Sequence, residues 1–291
     1  MEKASYRMPV EELINTNDAS AVTPALELQA VSFSYGAGVV LDQLSLTVAQ
    51  GEFVSLVGPS GSGKSTVLRL LAGLESPGAG RIRHHGQDVV GPGVDRGVVF
   101  QDYSLFPWMN LAENVILAIG KAHPELGRDR RRELAEEYLE LVGLGNAWSK
   151  YPQELSGGMC QRGAIARVLA MGAPVLLMDE PFGALDPVNR TRLQDLLLEI
   201  WCSTRPARTI IFVTHDVDEA ILLADRVVVL GASPGRIIAN LAIDIARPRP
   251  RKETFAQLKF QELRRNVIDQ LHGDMLAQLS VADYVSGAGG I

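Results

Sequence analysis

The sequence predicts an α/β fold built on a central, mostly parallel β-sheet. Three apolar stretches, Val175–Met178, Thr209–Val213 and Arg226–Leu230, have the length of buried strands. They alternate with helical patterns at Pro187–Trp201 and Val217–Ala224. Strands and helices that alternate in this way form a parallel sheet with helices on both faces, so we expect that architecture here.

The amino-terminal part of the fold is predicted from the alternation of apolar and polar residues. One strand begins at Leu26, and Leu41–Val48 alternates regularly. Phe53–Val57 is a short buried strand, which leads into a glycine-rich loop and then into the helical stretch Ser65–Ala72.

The middle of the chain predicts a helical insert over about 102–170, because the strand signal vanishes there. Arg130–Val142 carries apolar residues at helical spacing with charges between them. The basic run Arg128–Arg132 is interpreted as the solvated start of that helix rather than as a nucleic-acid patch. The acidic residues over Glu133–Glu140 balance its charge.

The chain ends are predicted to lie outside the main domain, which spans 27–245. Residues 1–26 are interpreted as a flexible extension, with a short amphipathic helix at Val10–Ile14 as the alternative. Residues 246–291 form a basic, Pro-rich linker and a helical tail. The sequence leaves open whether this tail covers its own domain or packs on a partner copy.

Composition excludes several classes of protein. The chain has 291 residues, 46% hydrophobic and 21% charged, with a net charge of −6 that does not favour nucleic-acid binding. Two cysteines argue against a disulfide framework. No apolar run approaches the roughly 20 residues of a membrane-spanning helix, and the first residues do not resemble a secretory signal. We therefore expect a cytosolic protein that reaches a membrane only through a partner.

A phosphate-binding loop is the central motif. It matches G-x-x-x-x-G-K-[ST], follows a predicted strand and opens a predicted helix, which is the context that separates a P-loop from a chance match. Its residues are Gly58, Pro59, Ser60, Gly61, Ser62, Gly63, Lys64, Ser65 and Thr66.

The chemistry of phosphate binding explains these residue types. Glycines let backbone N–H groups turn toward phosphate oxygens, and the following helix offers its unpaired N–H groups. Lys64 is predicted to reach the β- and γ-phosphates and Ser65 to ligate Mg²⁺, with Thr66 near the α-phosphate. The motif thus predicts ATP and Mg²⁺ as cofactors.

Two carboxylates, Asp179 and Glu180, end the apolar strand Val175–Met178. Ligands of such sheets bind at the carboxyl ends of the strands. We expect Asp179 to hold the Mg²⁺, through water, and Glu180 to act as general base on the attacking water.

The remaining motifs resemble those of ABC transporter ATP-binding subunits, and they follow that family's order over about 30–230. They are the adenine-stacking aromatic Tyr35, the Q-loop glutamine Gln101, the signature Leu155, Ser156, Gly157, Gly158 and Met159 followed by Gln161 and Arg162, the D-loop Pro181–Asp186, and the H-loop Thr214, His215 and Asp216. The resemblance implies a P-loop NTPase with a central mostly parallel sheet, an antiparallel β subdomain and a helical subdomain.

The resemblance also implies a mechanism. Two copies, or one copy and a paralogous ATPase, close head-to-tail around two ATP molecules, and Ser156–Gly158 of one copy face the γ-phosphate held by the other. His215 contacts that phosphate, and Asp186 connects the two halves. Gln101 senses Mg²⁺ and water, and passes closure to the membrane subunit.

The signature departs slightly from the family's usual form. Met159 replaces the commoner Gln, Cys160 a frequent Arg or Lys, and Gly163 a frequent Val. A glycine inside a helix costs about 0.5–1 kcal/mol relative to Ala. None of the three removes a phosphate contact, so we expect a competent ATPase.

Several short sequence segments resemble those of the nitrate, sulfonate and taurine branch of bacterial importers. Some relatives in that branch carry bicarbonate. The segments are Gly97–Gln101, Leu105–Trp108, Thr191–Gln194, Glu199–Trp201, Ser233–Ile237 and Arg247–Arg249. The resemblance implies uptake of a small anion through transmembrane permease subunits, with a substrate-binding protein as an indirect partner. It places the chain peripherally on the cytoplasmic face of the inner membrane.

The aromatic segment Phe106–Trp108 is predicted to receive a permease helix. Its alternative is local packing of the helical insert.

Three rival functions share part of this pattern. A soluble ABC protein of DNA repair or translation would usually carry two ATPase units or a long coiled-coil insert. An exporter or lipid-transport ATPase shares all of the chemistry. A non-enzymatic ATP sensor is disfavoured by the presence of Glu180 and His215.

Overall fold

The computed structural model describes residues 23–203 and 207–287. The predicted extension over 1–26 lies outside the described residues up to residue 22, as does its alternative helix at Val10–Ile14. The chain forms two compact units. The P-loop unit comprises Pro24–Gly91 and Ile211–Ile291, and the helical unit comprises Pro92–Ile210.

The elements alternate along the chain much as predicted. The first segment contains β1 (Leu26–Tyr35), β2 (Gly38–Val48), β3 (Phe53–Val57), α1 (Lys64–Leu71), β4 (Ala79–His84) and β5 (Gln87–Asp88). The second contains β6 (Arg96–Val99), α2 (Leu111–Ala122), α3 (Arg128–Leu141), α4 (Gly157–Ala170), β7 (Val175–Asp179), α5 (Pro187–Ser203) and β8 (Thr209–Val213). The last contains α6 (Val217–Leu223), β9 (Arg226–Leu230), β10 (Ile237–Ala242), α7 (Arg251–Phe255) and α8 (Leu258–Gly287).

Parallel strand pairs lie in both units, as the α/β prediction requires. In the P-loop unit, β3 pairs parallel with β9, with Val54 opposite Arg226 and Val57 opposite Val229. In the helical unit, β6 pairs parallel with β7. All residues of β3 and β7 are buried, which is the pattern of strands that are covered on both faces.

A separate antiparallel sheet in the P-loop unit has the strand order β2-β1-β4-β5. Leu26, Leu28 and Val31 of β1 are buried. The predicted alternation therefore places one face of this sheet in the core. The mixed sheets and helices confirm the predicted fold class.

The helical unit has three α-helices between residues 102 and 170 of the described chain. Asn110 and Glu113 form a capping box that starts α2. Leu134 and Tyr138 of α3 are buried, while Arg130 pairs with Glu133 at 3.1 Å on its exposed face. The basic run is thus balanced by acids on its own helix, as the sequence indicated.

The carboxy-terminal tail packs on its own P-loop unit. Phe260 and Val267 of α8 are buried against Ile221 of α6, Val229 of β9 and Ile245. The tail thus covers its own unit, which is one of the two alternatives that the sequence left open. Among the described residues, no helix combines the length and hydropathy needed to cross a bilayer.

The basic, Pro-rich segment ahead of the tail is an anchor. The buried Arg249 guanidinium donates to carbonyls at the end of α6, at 2.9 Å to Ile221 O and 2.6 Å to Ala224 O. Arg247 donates to Asp225 Oδ1 at 2.9 Å. Burial, and then the charge of Arg247, lower the pKa of Arg249 to about 10. Cations at a helix carboxyl end complement its dipole and its unpaired carbonyls.

Candidate active site

The glycine-rich loop joins β3 to α1 and leaves no room for side chains at two glycines. A Cβ on Gly58 would lie 2.6 Å from Leu230 O and 2.8 Å from Ser62 Oγ. A Cβ on Gly63 would lie 2.6 Å from Leu41 Cδ2, and the φ of Gly63 is 86°. Gly58 is therefore required by the close approach of the Leu230 carbonyl, and Gly63 by its left-handed backbone.

The loop presents polar groups that its own fold leaves available. The first helical bond of α1 runs from Val67 N–H to Gly63 O at 2.8 Å, and Gly63 supplies no side-chain cap. The N–H groups of Ser65 and Thr66, which precede this bond, have no acceptor within the helix. The hydroxyl of Ser62 is buried and has no hydrogen-bond partner among the described residues. Phosphate oxygens would accept hydrogen bonds from the helix N–H groups and from the Ser62 hydroxyl, so the residues present fit a nucleoside triphosphate.

Lys64 lies at the centre of this loop. Its Nζ donates to Gly58 O at 2.9 Å and to Pro59 O at 2.8 Å, and its side chain is buried. Ser65 is exposed, whereas Thr66 is buried. The ammonium group is thus held inside the loop, while the Ser65 hydroxyl is open to a ligand.

Tyr35 has an open ring face in the same unit. Its side chain is half exposed, and its ring lies edge-on to Phe33 with centroids 4.8 Å apart. Its hydroxyl donates to Glu75 Oε1 at 3.4 Å. This arrangement holds the ring in place from one side and leaves an aromatic surface for a planar base.

His215 follows β8 and is exposed. Thr214 N–H donates to Leu56 O of β3 at 3.3 Å, and its buried hydroxyl donates to Glu219 Oε2 at 2.6 Å. Asp216 caps α6 by accepting from Glu219 N–H at 3.1 Å. Fixed residues on both sides therefore present His215 beside the strand that leads into the phosphate loop.

The helical unit carries the acidic pair. Asp179 is the last residue of β7 and is buried. Glu180 follows with a φ of 46°, a region that non-glycine residues rarely occupy. Such backbone strain is typical of functional sites, and the surrounding contacts must hold it in place.

Gln161 of α4 supplies such contacts. Its Nε2 donates to Glu180 O at 3.0 Å, and its Oε1 accepts from Ala184 N–H at 3.2 Å. Gly183 N–H also donates to Glu180 O, at 3.1 Å. From the sequence, Gln161 was recognised only as a residue that follows the signature motif, with no role of its own. Its partners are 19 and 23 residues away, so no local pattern could assign this role.

The signature residues begin α4. Ser156 caps the helix by accepting from Met159 N–H at 3.3 Å. A Cβ on Gly157 would lie 3.1 Å from the Tyr103 hydroxyl, and one on Gly158 would lie 3.4 Å from Ala184 O. This helix start, with exposed Ser156 and Gly157, is suited to an anion.

Two of the three departures in α4, Gly163 and Cys160, have structural partners. A Cβ on Gly163 would lie 2.5 Å from Leu111 Cδ1, so the glycine lets α2 and α4 approach closely. Cys160 is buried and its thiol donates to Pro152 O at 3.5 Å. Both residues face the helical unit's own core.

Asp186 and Gln101 are the remaining predicted residues of this unit. Asp186 caps α5 by accepting from Val188 N–H and Asn189 N–H, each at 3.1 Å. The Asn189 side chain, which donates to it, is the main cause of the lowered pKa of Asp186. Gln101 is exposed and is followed by Tyr103 with a φ of 65°.

The predicted residues thus divide between the two units. The P-loop unit holds Tyr35, the phosphate loop with Lys64, Ser65 and Thr66, and His215; the helical unit holds Gln101, Ser156–Gly158, Asp179, Glu180 and Asp186.

Known proteins with the same organisation identify the family. Residues 41–183 match the family described as ABC transporter. The chain is 44% identical over 238 residues to the nitrate import ATP-binding protein NrtD of Synechococcus elongatus, covering 81% of this chain and 86% of that protein. It is 48% identical over 231 residues to the bicarbonate transport ATP-binding protein CmpC of the same species, covering 79% of this chain but 34% of that longer protein.

A solved structure agrees with the sequence relatives. It is a dimeric, post-hydrolysis ATP-binding cassette bound to ADP and phosphate, with a TM-score of 0.68 and 30% identity. It covers 76% of this chain and is itself covered completely. This chain belongs to the ATP-binding subunits of ABC transporters and is an ATPase of that family, homologous to nitrate and bicarbonate importer ATPases.

Proposed function

We propose that this chain hydrolyses Mg-ATP as a dimer and thereby drives uptake of a small anion through a membrane permease. The observation that carries the proposal is the phosphate loop, whose glycines leave a cradle and whose buried Ser62 hydroxyl has no partner among the described residues. The relatives named for nitrate and bicarbonate support an anion of that class, with sulfonates and taurine as further substrates.

The residues of the P-loop unit bind the nucleotide in this proposal. Tyr35 stacks on the adenine, and Gly58–Thr66 surround the phosphates, with Lys64 on the β- and γ-phosphates. The Ser65 hydroxyl would hold Mg²⁺, which would supply positive charge to offset the negative charge of the phosphates. His215 stabilises the γ-phosphate electrostatically in the transition state.

The residues of the helical unit complete the chemistry. Asp179 and Gln101 are the residues of this unit that would hold the Mg²⁺. Glu180 takes a proton from the attacking water. The strained backbone at Glu180, fixed by Gln161, supports a role that depends on the carboxylate's orientation.

A second copy completes each site. Ser156–Gly158 and Asp186 act across the dimer, and the dimeric state of the structural relative supports this arrangement. A site that forms only on dimer closure couples hydrolysis to a large motion.

The domain limits 27–245, with an insert over about 102–170 and a tail over 246–291, remain part of the proposal.

The permease docks on the helical unit at Phe106 and Trp108. Trp108 is 69% exposed, and its ring lies 5.3 Å from that of Phe106. The buried Asn114 amide holds this turn by accepting from Phe106 N–H at 2.8 Å and donating to Met109 O at 3.1 Å. An exposed aromatic pair on a fixed turn favours docking over local packing and supports a peripheral position on the cytoplasmic face of the membrane.

Capture from native membranes tests this function. The Glu180→Gln variant with ATP and Mg²⁺ should form a trapped dimer and retain a multi-span permease, whose substrate-binding protein then identifies the anion. Recovery of the dimer with soluble proteins or nucleic acid alone would contradict the transporter function and favour a soluble ABC protein. Recovery of a permease without a binding protein would contradict import.

A further inference from the structure

The segment Gly231–Arg236, here called the β9–β10 loop, lies against the phosphate loop at both of its ends. Leu230 O, just before the β9–β10 loop, lies 2.6 Å from where a Cβ on Gly58 would be. At the other end, a Cβ on Gly235 would lie 2.1 Å from Ser62 O. The backbones of the two segments therefore approach closely at these two points, where glycine leaves room for the facing carbonyl oxygens.

Backbone hydrogen bonds fix the β9–β10 loop to the neighbouring strand β2. Gly235 N–H donates to Val40 O at 2.7 Å, and Asp42 N–H donates to Gly235 O at 3.2 Å. Gly231 N–H donates to Arg236 O at 2.9 Å and closes the turn. Gly235 thus lies between β2 and the phosphate loop and contacts both.

The carboxy-terminal helix holds this loop through one carboxylate. Asp274 of α8 is 8% exposed, accepts from Ala232 N–H at 2.7 Å, and lies 3.5 Å from the Arg236 guanidinium. A Cβ on Gly231 would lie 3.0 Å from this carboxylate, so glycine makes room for it. The contact spans 42 residues of sequence and brings the tail helix to the edge of the nucleotide site.

We propose that Asp274 and Gly235 are positioning residues for the phosphate loop, so that the carboxy-terminal helix sets the affinity for nucleotide. The inference rests on the proposed function, in which the phosphate loop binds ATP. Phosphate binding depends on backbone N–H groups that point inward, so a small displacement of Ser62 misaligns several donors at once. Asp274 limits that displacement because it fixes the β9–β10 loop through Ala232 N–H.

The test is isothermal titration of the full chain with ADP and with a non-hydrolysable ATP analogue, both with Mg²⁺. The Asp274→Ala variant should raise the Kd for both by about fivefold, the value of one ordinary net hydrogen bond. The Asp274→Asn variant keeps an acceptor for Ala232 N–H and should restore most of the affinity. The matched control, Asp269→Ala, changes an exposed carboxylate of the same helix and should bind like the wild type.

Steady-state kinetics and backbone exchange separate positioning from general stability. The Asp274→Ala variant should raise the KM for ATP and leave kcat within about twofold, since the catalytic groups are unchanged. Deuterium exchange should accelerate in the peptide that contains Gly58–Gly63. Gly235→Ala, which keeps the Asp274 contact, should weaken binding by the same route and serves as the deciding variant if Asp274→Ala does not fold.

The outcomes are distinct. A lower melting temperature with unchanged Kd and KM in Asp274→Ala, or wild-type affinity in Gly235→Ala, would overturn the inference. Failure of the wild-type chain itself to bind either nucleotide would instead contradict the proposed function.

Discussion

The side-chain amide of Gln161 bridges Glu180 and Ala184, donating to the carbonyl of one and accepting from the N–H of the other. Gln161 is 1% exposed, so water does not replace these bonds readily. The bridge joins the signature helix to the residue proposed as general base. It holds Glu180 in a backbone conformation that non-glycine residues otherwise avoid.

Loss of this bridge should lower turnover more than binding. In Gln161→Met, the side chain keeps its size but cannot bond to Glu180 O or Ala184 N–H. We expect kcat to fall by about tenfold, because a misplaced general base contributes less than its usual 10²–10⁴-fold, with the KM for ATP unchanged. Steady-state ATPase assays measure both. The control Gln153→Met changes an exposed glutamine of the same unit, and an equal loss of kcat in it would contradict the bridge's role.

Tyr35 should contribute to affinity for the base. Removing its ring in Tyr35→Ala should raise the KM for ATP by about tenfold, since stacking of a base on an aromatic side chain is worth about 1–3 kcal/mol. Tyr35→Phe loses only the bond to Glu75 and should stay within about twofold of the wild type. Equal affinity for ATP in Tyr35→Ala and the wild type would contradict the stacking role.

Trp108 should matter for transport and not for hydrolysis. Trp108→Ala removes an exposed ring from the proposed docking surface, so basal ATPase activity should remain while anion uptake falls by at least about tenfold, as hot-spot aromatics do at interfaces. Uptake of labelled anion into cells that carry the variant measures this effect. Val188→Ala, at an exposed residue outside the docking turn, is the control. Unchanged uptake in Trp108→Ala would exclude docking at this residue.

The two cysteines should differ in reactivity. Burial raises the pKa of the Cys160 thiol above its ordinary value of 9.0, whereas Cys202 is exposed. Since the thiolate is the reactive form, a Cys202→Ser variant should react slowly with iodoacetamide at neutral pH. Because the folded protein favours the neutral thiol, Cys160 contributes fully to the free energy of unfolding below pH 9.0. This contribution is lost as the pH rises through the raised pKa of the folded state. Fast modification of native Cys202→Ser at pH 7 would contradict this environment.

The buried strands were the most predictable part of the fold. Val175–Met178, Thr209–Val213 and Arg226–Leu230 match β7, β8 and β9 to within one residue. A strand that is covered on both faces needs a continuous apolar run, which the sequence displays directly. By contrast, β5 is exposed and β10 is mostly half-buried, so neither carries a comparable pattern.

The helix α4 shows where local propensity misleads. Its sequence contains Gly157, Gly158 and Gly163, which disfavour a helix in isolation. The fold overrides this propensity because Gly163 admits the Leu111 side chain of α2. Such a requirement is set by tertiary packing and cannot be read from periodicity.

Site residues were predictable where a motif encodes them and not where distant contacts do. The phosphate loop and the acidic pair are contiguous in sequence, so their chemistry could be predicted from residue types and spacing. The roles of Gln161 and Asp274 depend on partners 19 to 42 residues away. The basic segment around Arg249 was predicted to be a linker. Arg249 is bound by backbone carbonyls, and because every residue has a carbonyl, the sequence does not show which ones accept from it.

The most direct test of the central claim is the ATPase activity and oligomeric state of Glu180→Gln beside the wild type. The variant keeps the shape of the side chain but cannot accept a proton from water. We predict that it binds Mg-ATP, forms a stable dimer in analytical ultracentrifugation, and loses at least about 100-fold in turnover. Near-wild-type turnover in Glu180→Gln, or a chain that stays monomeric with ATP bound, would contradict the account.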